Sequence, residues 1–173
     1  MSDPKTTQER ISHAMVSGNL KSSANGIGDA EYLTAVGMAA MRVHPAASPA
    51  LRLHLAQDAS SYKELRREVI KETGRLNFRE RWNFINDQVR TVADAALRHF
   101  IVPVCDKCLG LKYERITGTP MLSERVCRVC HGSGERPVME KYRRQIAGVL
   151  NWLGRVEDDL VQAVRGKTRL AFA

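Results

Sequence analysis

The chemistry of this chain is concentrated in its four cysteines, which form two C-x2-C pairs in a short window of the 173 residues. The first pair is Cys105 and Cys108, and the second is Cys127 and Cys130. A tight turn of two residues aims both sulfurs of a pair at one point, so two such turns supply the four thiolates of a tetrahedral zinc site. The spacing therefore predicts one structural Zn²⁺ per chain, bound by all four cysteines.

Other interpretations of the cysteines agree less well with the sequence around them. Four reduced cysteines in an ordinary core would not be expected to cluster in two such pairs. A thioredoxin-type redox pair needs a βαβ pattern, which is missing here, and catalytic zinc needs an open position, which four thiolates close. His131 stays open as a replacement ligand for Cys130. Since no catalytic constellation is recognisable elsewhere, we do not expect an enzyme.

Basic residues gather around the cysteines. The chain has 27 Lys and Arg against 19 Asp and Glu, a formal net charge of +8, which favours a polyanionic partner. Half of this net charge lies between Cys105 and Arg144. We predict that this region contacts DNA, although Lys107 and Arg128 could instead offset the thiolate charge and the other basic residues could simply be solvated. The predicted DNA contacts are Lys112, Arg115, Arg125, Arg128, Arg136, Lys141, Arg143, Arg144 and Arg155.

Helical periodicity dominates on both sides of the cysteines. The predicted fold is mainly α: a helical core with a four-cysteine zinc-finger insert and a C-terminal helix-turn-helix-like pair. A first helix is predicted from Asp29 to about His44. A second should begin at Pro49, run to about Thr73 and stop at Gly74.

A third helix is predicted between Asn77 and Phe100, because Asn77 and Glu80 have the spacing of a capping box. Its buried stripe would consist of Trp82, Ile85, Val89, Val92 and Ala96. Within the cysteine segment we expect a short hairpin that turns at residues 117–120.

The C-terminal segment has a helical period that Gly154 interrupts. We predict a helix-turn-helix with its turn at residues 151–154 and a second helix from Arg155 to about Arg165. The start of that second helix carries three acids, which would repel phosphates, so either it does not read DNA or its acids face away from it.

These elements give five segments. They are a flexible N-terminal arm (1–28), a helical core (29–102), the four-cysteine zinc finger (103–136), a C-terminal helical DNA-binding segment packed on the core (137–166) and a tail (167–173). No apolar stretch is long enough to span a bilayer, and the N-terminus lacks the apolar segment of a signal peptide. We therefore expect a cytoplasmic protein with no membrane partner.

The two knuckles give the chain a family resemblance. They read C-D-K-C-L-G-L-K at 105–112 and C-R-V-C-H-G-S-G at 127–134, and the chain resembles the Q-type late-gene antitermination proteins of lambdoid phages. The Ala/Gly/Met-rich stretch at 28–41 and the Tyr142-Arg143 pair are also similar to segments of that family. The first knuckle departs from the pattern, because Lys112 stands where a second glycine is expected.

The resemblance implies a transcription antitermination factor. Such a protein binds double-stranded DNA at a phage late promoter and loads onto host RNA polymerase, including sigma, that is paused just downstream. The loaded polymerase then reads through terminators in the cytoplasm of the bacterial host, and a dimer on DNA is one option. Two alternatives stay open: a zinc-stabilised chaperone or adaptor that binds protein, since DnaJ-type chaperones repeat the same knuckle, and a simple DNA-binding repressor.

Overall fold

A computed structural model describes residues 29–54, 58–116, 118–119 and 121–170 of the chain. The described part is mainly helical, as predicted, with five α-helices and one two-stranded sheet. The predicted N-terminal arm, residues 1–28, lies outside the described residues. Within the described part, no helix combines the length and the apolar character that crossing a bilayer requires.

The first two helical segments are α1 (Asp29–Val43) and α2 (Ala47–His54). The prediction for α1 is confirmed. The single helix predicted from Pro49 to Thr73 is wrong, because α2 ends at His54 and α3 (Tyr62–Arg79) begins after a 3₁₀ turn at Ala59–Ser61.

Asp58 is the physical reason for the break. Its carboxylate accepts hydrogen bonds from the Ser60 N–H at 2.9 Å and from the hydroxyls of Ser60 and Ser61 at 2.6 and 2.9 Å. The hydroxyl of Ser60 is the largest of the contributions that lower the pKa of Asp58. A capping side chain of this kind satisfies backbone donors only at a helix start, so it opens a new helix rather than continuing the old one.

Gly74 does not end α3, which continues to Arg79. Asn77 is therefore not a helix cap, and the predicted start of the third helix is wrong: α4 runs from Asn86 to Ile101. Its N-cap is Ile85, whose N–H donates to the Gln88 side chain at 3.1 Å. The predicted stripe is confirmed for Val89, Val92 and Ala96, which are buried, whereas Trp82 and Ile85 precede the helix and Ile85 is exposed.

The cysteine segment contains the predicted hairpin. Strand β1 (Tyr113–Arg115) pairs antiparallel with β2 (Leu122–Val126), in a register that places Tyr113 opposite Val126. Gly118 lies in the connecting turn with φ +80°, a conformation that favours glycine.

The C-terminal segment is one continuous helix, α5 (Arg143–Leu170), which follows a 3₁₀ turn at Glu140–Tyr142. The predicted helix-turn-helix is therefore wrong, and so is the tail predicted from residue 167, since the helix extends to Leu170. One interior glycine costs a helix only about 1 kcal/mol. Burial of Leu153 and Val156 on the two sides of Gly154 outweighs that cost.

The described residues form two compact units. One comprises the residues up to Lys71 together with those from Asn151 onward, and the other is Glu72–Leu150. In the first unit the His44 ring meets the Trp152 ring edge-on, with centroids 5.3 Å apart. The second unit contains α4, the hairpin and all four cysteines, so the candidate site belongs to this unit alone. The boundaries predicted at residues 103 and 137 both lie inside it.

Candidate metal centre

The four cysteine sulfurs lie within 4.8 Å of one another, and all four side chains are buried. The sulfurs of Cys108 and Cys130, one from each knuckle, are 3.6 Å apart, and no disulfide joins any of the four cysteines. Four convergent thiols of this kind can hold one metal ion. Cys130 belongs to the cluster while His131 is exposed, so the geometry does not favour His131 as a replacement ligand.

The two knuckles have the same backbone conformation. Three positions have positive φ in both knuckles. They are the residue after the second cysteine, the glycine that follows it, and the residue two positions after that glycine. The φ values are 52°, 85° and 70° for Leu109, Gly110 and Lys112, and 50°, 82° and 81° for His131, Gly132 and Gly134. The cysteine segment is therefore a duplicated turn, in which each copy brings two sulfurs to one centre.

Backbone hydrogen bonds join the two knuckles reciprocally. The N–H of Cys105 donates to the carbonyl of Gly134, and the N–H of Cys127 donates to the carbonyl of Lys112, both at 2.9 Å. Each knuckle thus fixes the first cysteine of the other. Because the bonds are exchanged across the centre, the four sulfurs are positioned by backbone geometry as well as by any ion between them.

Hydrogen bonds also set the charge of the sulfurs. Burial raises the pKa of the Cys108 thiol to about 11, and its bond with the Cys130 sulfur acts in the same direction. Burial opposes ionisation of Cys130 too, but the N–H of Gly134, the Cys108 thiol and the N–H of Gly132 hydrogen-bond to its sulfur and lower its pKa to about 6. The hydrogen bond between the two sulfurs thus favours ionisation of one of them, and a thiolate is the form that binds metal.

Lys112 adopts the conformation that its counterpart Gly134 adopts. A non-glycine residue in the left-handed region costs about 1 kcal/mol. Lys112→Gly should relieve this strain and stabilise the metal centre by about that amount. The measurement is the concentration of a competing chelator that removes half of the metal, which should be higher for Lys112→Gly than for the unsubstituted chain.

Lys112→Ala is the control for this prediction, because it removes the ammonium group but keeps the strained φ. It should lose metal as readily as the unsubstituted chain does. If Lys112→Gly lost metal more easily than the unsubstituted chain, the ammonium group would be stabilising the thiolates, and the strain argument would be overturned.

Arg136 closes the base of the finger. Its guanidinium donates to both carboxylate oxygens of Asp106, at 2.8 and 2.5 Å, and to the carbonyl of Val102 at 3.0 Å. Its own N–H donates to the Pro103 carbonyl at 2.6 Å. Arg136 thus ties the chain that enters the finger to the chain that leaves it, and we exclude it from the proposed DNA contacts.

The structure separates the other predicted DNA contacts into two groups. Arg128 pairs with Glu114 at 3.2 Å, Arg143 pairs with Glu140 at 3.6 Å, and the Lys141 ammonium lies 5.1 Å from the centre of the Tyr142 ring. Four exposed side chains have no ion pair with any described residue. They are Lys112, Arg115, Arg125 and Arg144. Arg155 is also exposed but belongs to the other compact unit.

Exposed apolar side chains accompany these charges on the finger, and the sequence reasoning missed them. Among the described residues of the finger, the buried cluster consists of the four cysteines alone, so these residues give the hairpin no apolar core in which its other side chains could be buried. The exposed apolar residues are Val104, Leu109, Leu111, Tyr113, Ile116, Met121, Leu122, Val126 and Val129. The sequence signal for their exposure is the short segment between the two cysteine pairs. A hairpin of this length has no opposing layer against which its apolar side chains could pack.

The sequence does not reveal the role of Asp106 either. Its position inside the C-x2-C turn carries no sign of a partner thirty residues away. Only the closure of the finger brings Arg136 to it.

Comparisons of the chain with protein-family models, with curated proteins and with solved structures find no match. The resemblance carried by the two knuckles therefore remains a prediction.

Proposed function

We propose that this protein is a zinc-containing, DNA-binding transcription antitermination factor. It would load onto RNA polymerase that has paused close to a phage late promoter, in the cytoplasm of the bacterial host, and allow read-through of terminators. The observation that carries the proposal is the pairing of a four-cysteine centre with exposed, unpaired basic side chains on the hairpin that this centre holds.

Zinc is the metal that suits the donor set best. Four thiolates in a closed shell are typical of structural Zn²⁺, with zinc–sulfur distances of about 2.3 Å, which place the sulfurs of a tetrahedron about 3.8 Å apart. The separation of 3.6 Å between the Cys108 and Cys130 sulfurs is close to this value. The ion would leave no coordination position for water, so its role would be to fix the finger.

The charge of the finger supports DNA as the partner. Arg115 and Arg125 project from the two strands of the hairpin, and Lys112 lies immediately before β1. None of the three is neutralised by a described residue. Fixed, unpaired cations on a small rigid element are suited to phosphate contacts, which position a protein on a duplex. Because α5 has no turn, the finger takes the place of the predicted helix-turn-helix in this proposal.

The antitermination step follows from the resemblance of the knuckles, and transcription is its test. Zinc-loaded protein should increase read-through of a terminator on a template that carries the cognate late promoter, with purified RNA polymerase and sigma. Loss of initiation instead of increased read-through would favour the repressor. No effect on transcription, with DNA binding intact, would contradict antitermination.

The DNA face has its own prediction. Arg115→Glu combined with Arg125→Glu should weaken binding of the late-promoter duplex by at least about tenfold, because two phosphate contacts become two repulsions. The slope of log affinity against log salt should fall in magnitude by roughly two. Fluorescence anisotropy over a salt series measures both quantities, and zinc content should stay at one per chain.

The matched control is Arg42→Glu combined with Lys63→Glu. These two exposed residues lie in the other compact unit, and their reversal changes the net charge by the same amount. Their reversal should have a much smaller effect on affinity. If both double variants weakened binding equally, net charge rather than the hairpin would attract DNA.

A protein-binding adaptor is the second candidate, and the exposed apolar side chains of the finger favour it. Such an adaptor would not retain duplex DNA even at low salt. Replacing Leu122 and Met121 by serine would then abolish partner capture, whereas reversing the charge of Arg115 and Arg125 would not.

A further inference from the structure

The corner between α3 and α4 holds a cationic residue in a conformation that favours glycine. The N–H of Trp82 donates to the Asn77 carbonyl at 3.1 Å, and the N–H of Arg81 donates to the Phe78 carbonyl at 3.3 Å. This is the hydrogen-bond pattern of a Schellman cap, in which the left-handed position is usually glycine. Here Arg81 occupies that position with φ +53°, and Asn83 follows with φ +58°. Strain of this kind, kept at an exposed corner, points to a use for the side chain.

Side-chain hydrogen bonds and ring contacts brace this corner, which limits its movement. The Asn77 amide donates to the Phe84 carbonyl at 3.1 Å and accepts from the Phe84 N–H at 3.0 Å. The Phe84 ring lies between the rings of Trp82 and Tyr142, with centroids 5.7 and 5.4 Å away. A braced loop presents its outward side chains with little conformational entropy left to lose on binding.

Two large apolar side chains flank this brace, and both face solvent. Phe78, next to Asn77, is 89 % exposed, and Ile85, next to Phe84, is 68 % exposed. Aromatic and arginine side chains are enriched at the centres of protein interfaces. An exposed Phe beside a strained, exposed Arg is therefore suited to binding a protein surface.

Charge narrows the choice of partner. The charged residues between Phe78 and Asp87 are two basic and two acidic: Arg79, Arg81, Glu80 and Asp87. Arg79 and Glu80 pair with each other at 3.0 Å. Neither Arg81 nor Asp87 pairs with a described residue, so the corner offers one free cation and one free anion. A patch without net charge, on a chain of charge +8, is not suited to binding nucleic acid. It can, however, contact the same patch on a second copy of the chain.

We propose that this corner is a self-association surface, and that its occupant is a second copy of the chain. In a symmetric dimer each residue of the patch meets the patch of the other copy, so a self-complementary surface is required. Phe78 can pack on Ile85 of the second copy, and Arg81 can pair with its Asp87. The patch consists of few residues, so we expect a weak dimer that dissociates on dilution. The proposal concerns the free protein and does not depend on DNA binding.

Sedimentation velocity of the zinc-loaded, full-length chain over a wide concentration range tests the proposal. The expected result is a monomer–dimer equilibrium that Phe78→Glu abolishes, because it places a carboxylate in the centre of the patch. Met41→Glu is the matched control, since Met41 is also on a helix and is 88 % exposed. It should leave the equilibrium unchanged.

A charge exchange identifies the partner as a second copy. Arg81→Asp and Asp87→Arg should each weaken the dimer, and the double variant should restore it, because the pair is re-formed in the opposite direction. Circular dichroism confirms that each variant remains folded. A monomer at every concentration, a dimer that survives Phe78→Glu, or a double variant that stays monomeric would each overturn the proposal.

Discussion

Cys127→Ser is expected to abolish metal binding and unfold the finger while the helices remain. The Cys127 sulfur is one of four that converge within 4.8 Å, and its side chain is fully buried. A serine hydroxyl is a poor substitute for a thiolate ligand. Closing a zinc site of four cysteines contributes on the order of 10 kcal/mol or more at neutral pH. Losing one ligand removes much of that stabilisation.

The finger is unusually dependent on the ion because its described part has no other core. In that part the buried cluster contains only the four cysteines, and the large apolar side chains are exposed. A chromogenic chelator should detect one zinc per unsubstituted chain and none in Cys127→Ser. Hydrogen exchange of residues 104–135 should become fast, whereas far-ultraviolet circular dichroism should lose little helical signal. Duplex DNA binding should disappear together with the metal.

His131→Asn is the control, because His131 is the residue that could otherwise replace Cys130 as a ligand. Asparagine tolerates the left-handed conformation, in which His131 has φ 50°. This variant should keep one zinc per chain. A Cys127→Ser protein that kept both its metal and a protected finger would contradict the four-cysteine site.

The metal ligands could be predicted from the sequence because the information is local. Two residues between cysteines define a turn, and two such turns define a centre without any knowledge of the rest of the fold. The hairpin was predictable for the same reason, since it has to join the two knuckles within 18 residues and turns at a glycine with φ +80°. Helix α1 is rich in alanine and methionine and begins at a capping residue type, Asp29, so its composition was sufficient although it contains Gly37.

The helix boundaries were less predictable because they depend on partners distant in sequence or on competing caps. Asp58 could have been one more polar residue on a helix, and only its bonds to Ser60 and Ser61 make it a cap. Asparagine is a common helix-capping residue, yet the Asn77 amide forms hydrogen bonds with the backbone of Phe84 instead. Gly154 suggested a turn, but burial of its neighbours keeps α5 continuous.

The role of Lys112 shows what a motif departure can mean in structural terms. The sequence marks it as an exception to the glycine pattern, which by itself would weaken the case for the first knuckle. The structure shows that Lys112 adopts the same backbone conformation as Gly134, and that its carbonyl accepts the same kind of cross-knuckle hydrogen bond. The first knuckle thus keeps the geometry of the second although its sequence differs. The substitution also adds a positive charge, the exposed Lys112 side chain.

Gly134→Ala is expected to be the most damaging substitution of a residue that is not a metal ligand. Gly134 has φ +81°, and an added Cβ would lie 2.8 Å from the Gly110 carbonyl oxygen and 3.2 Å from Lys112 Cγ. A backbone oxygen cannot move aside as the end of a flexible side chain can. The same residue donates its N–H to the Cys130 sulfur at 3.4 Å and accepts from the Cys105 N–H. Any shift therefore disturbs both knuckles.

Gly118→Ala separates the two components of this effect. Gly118 has nearly the same φ, +80°, but an added Cβ there would meet no atom of a described residue within 4 Å. Gly118→Ala should therefore cost only the conformational strain, about 1 kcal/mol, whereas Gly134→Ala should cost about 3 kcal/mol in the stability of the metal-bound finger. Chelator competition and hydrogen exchange of the finger measure both. If the two variants behaved alike, the close approach of the knuckles would contribute nothing, and the reciprocal backbone bonds could not be what positions the sulfurs.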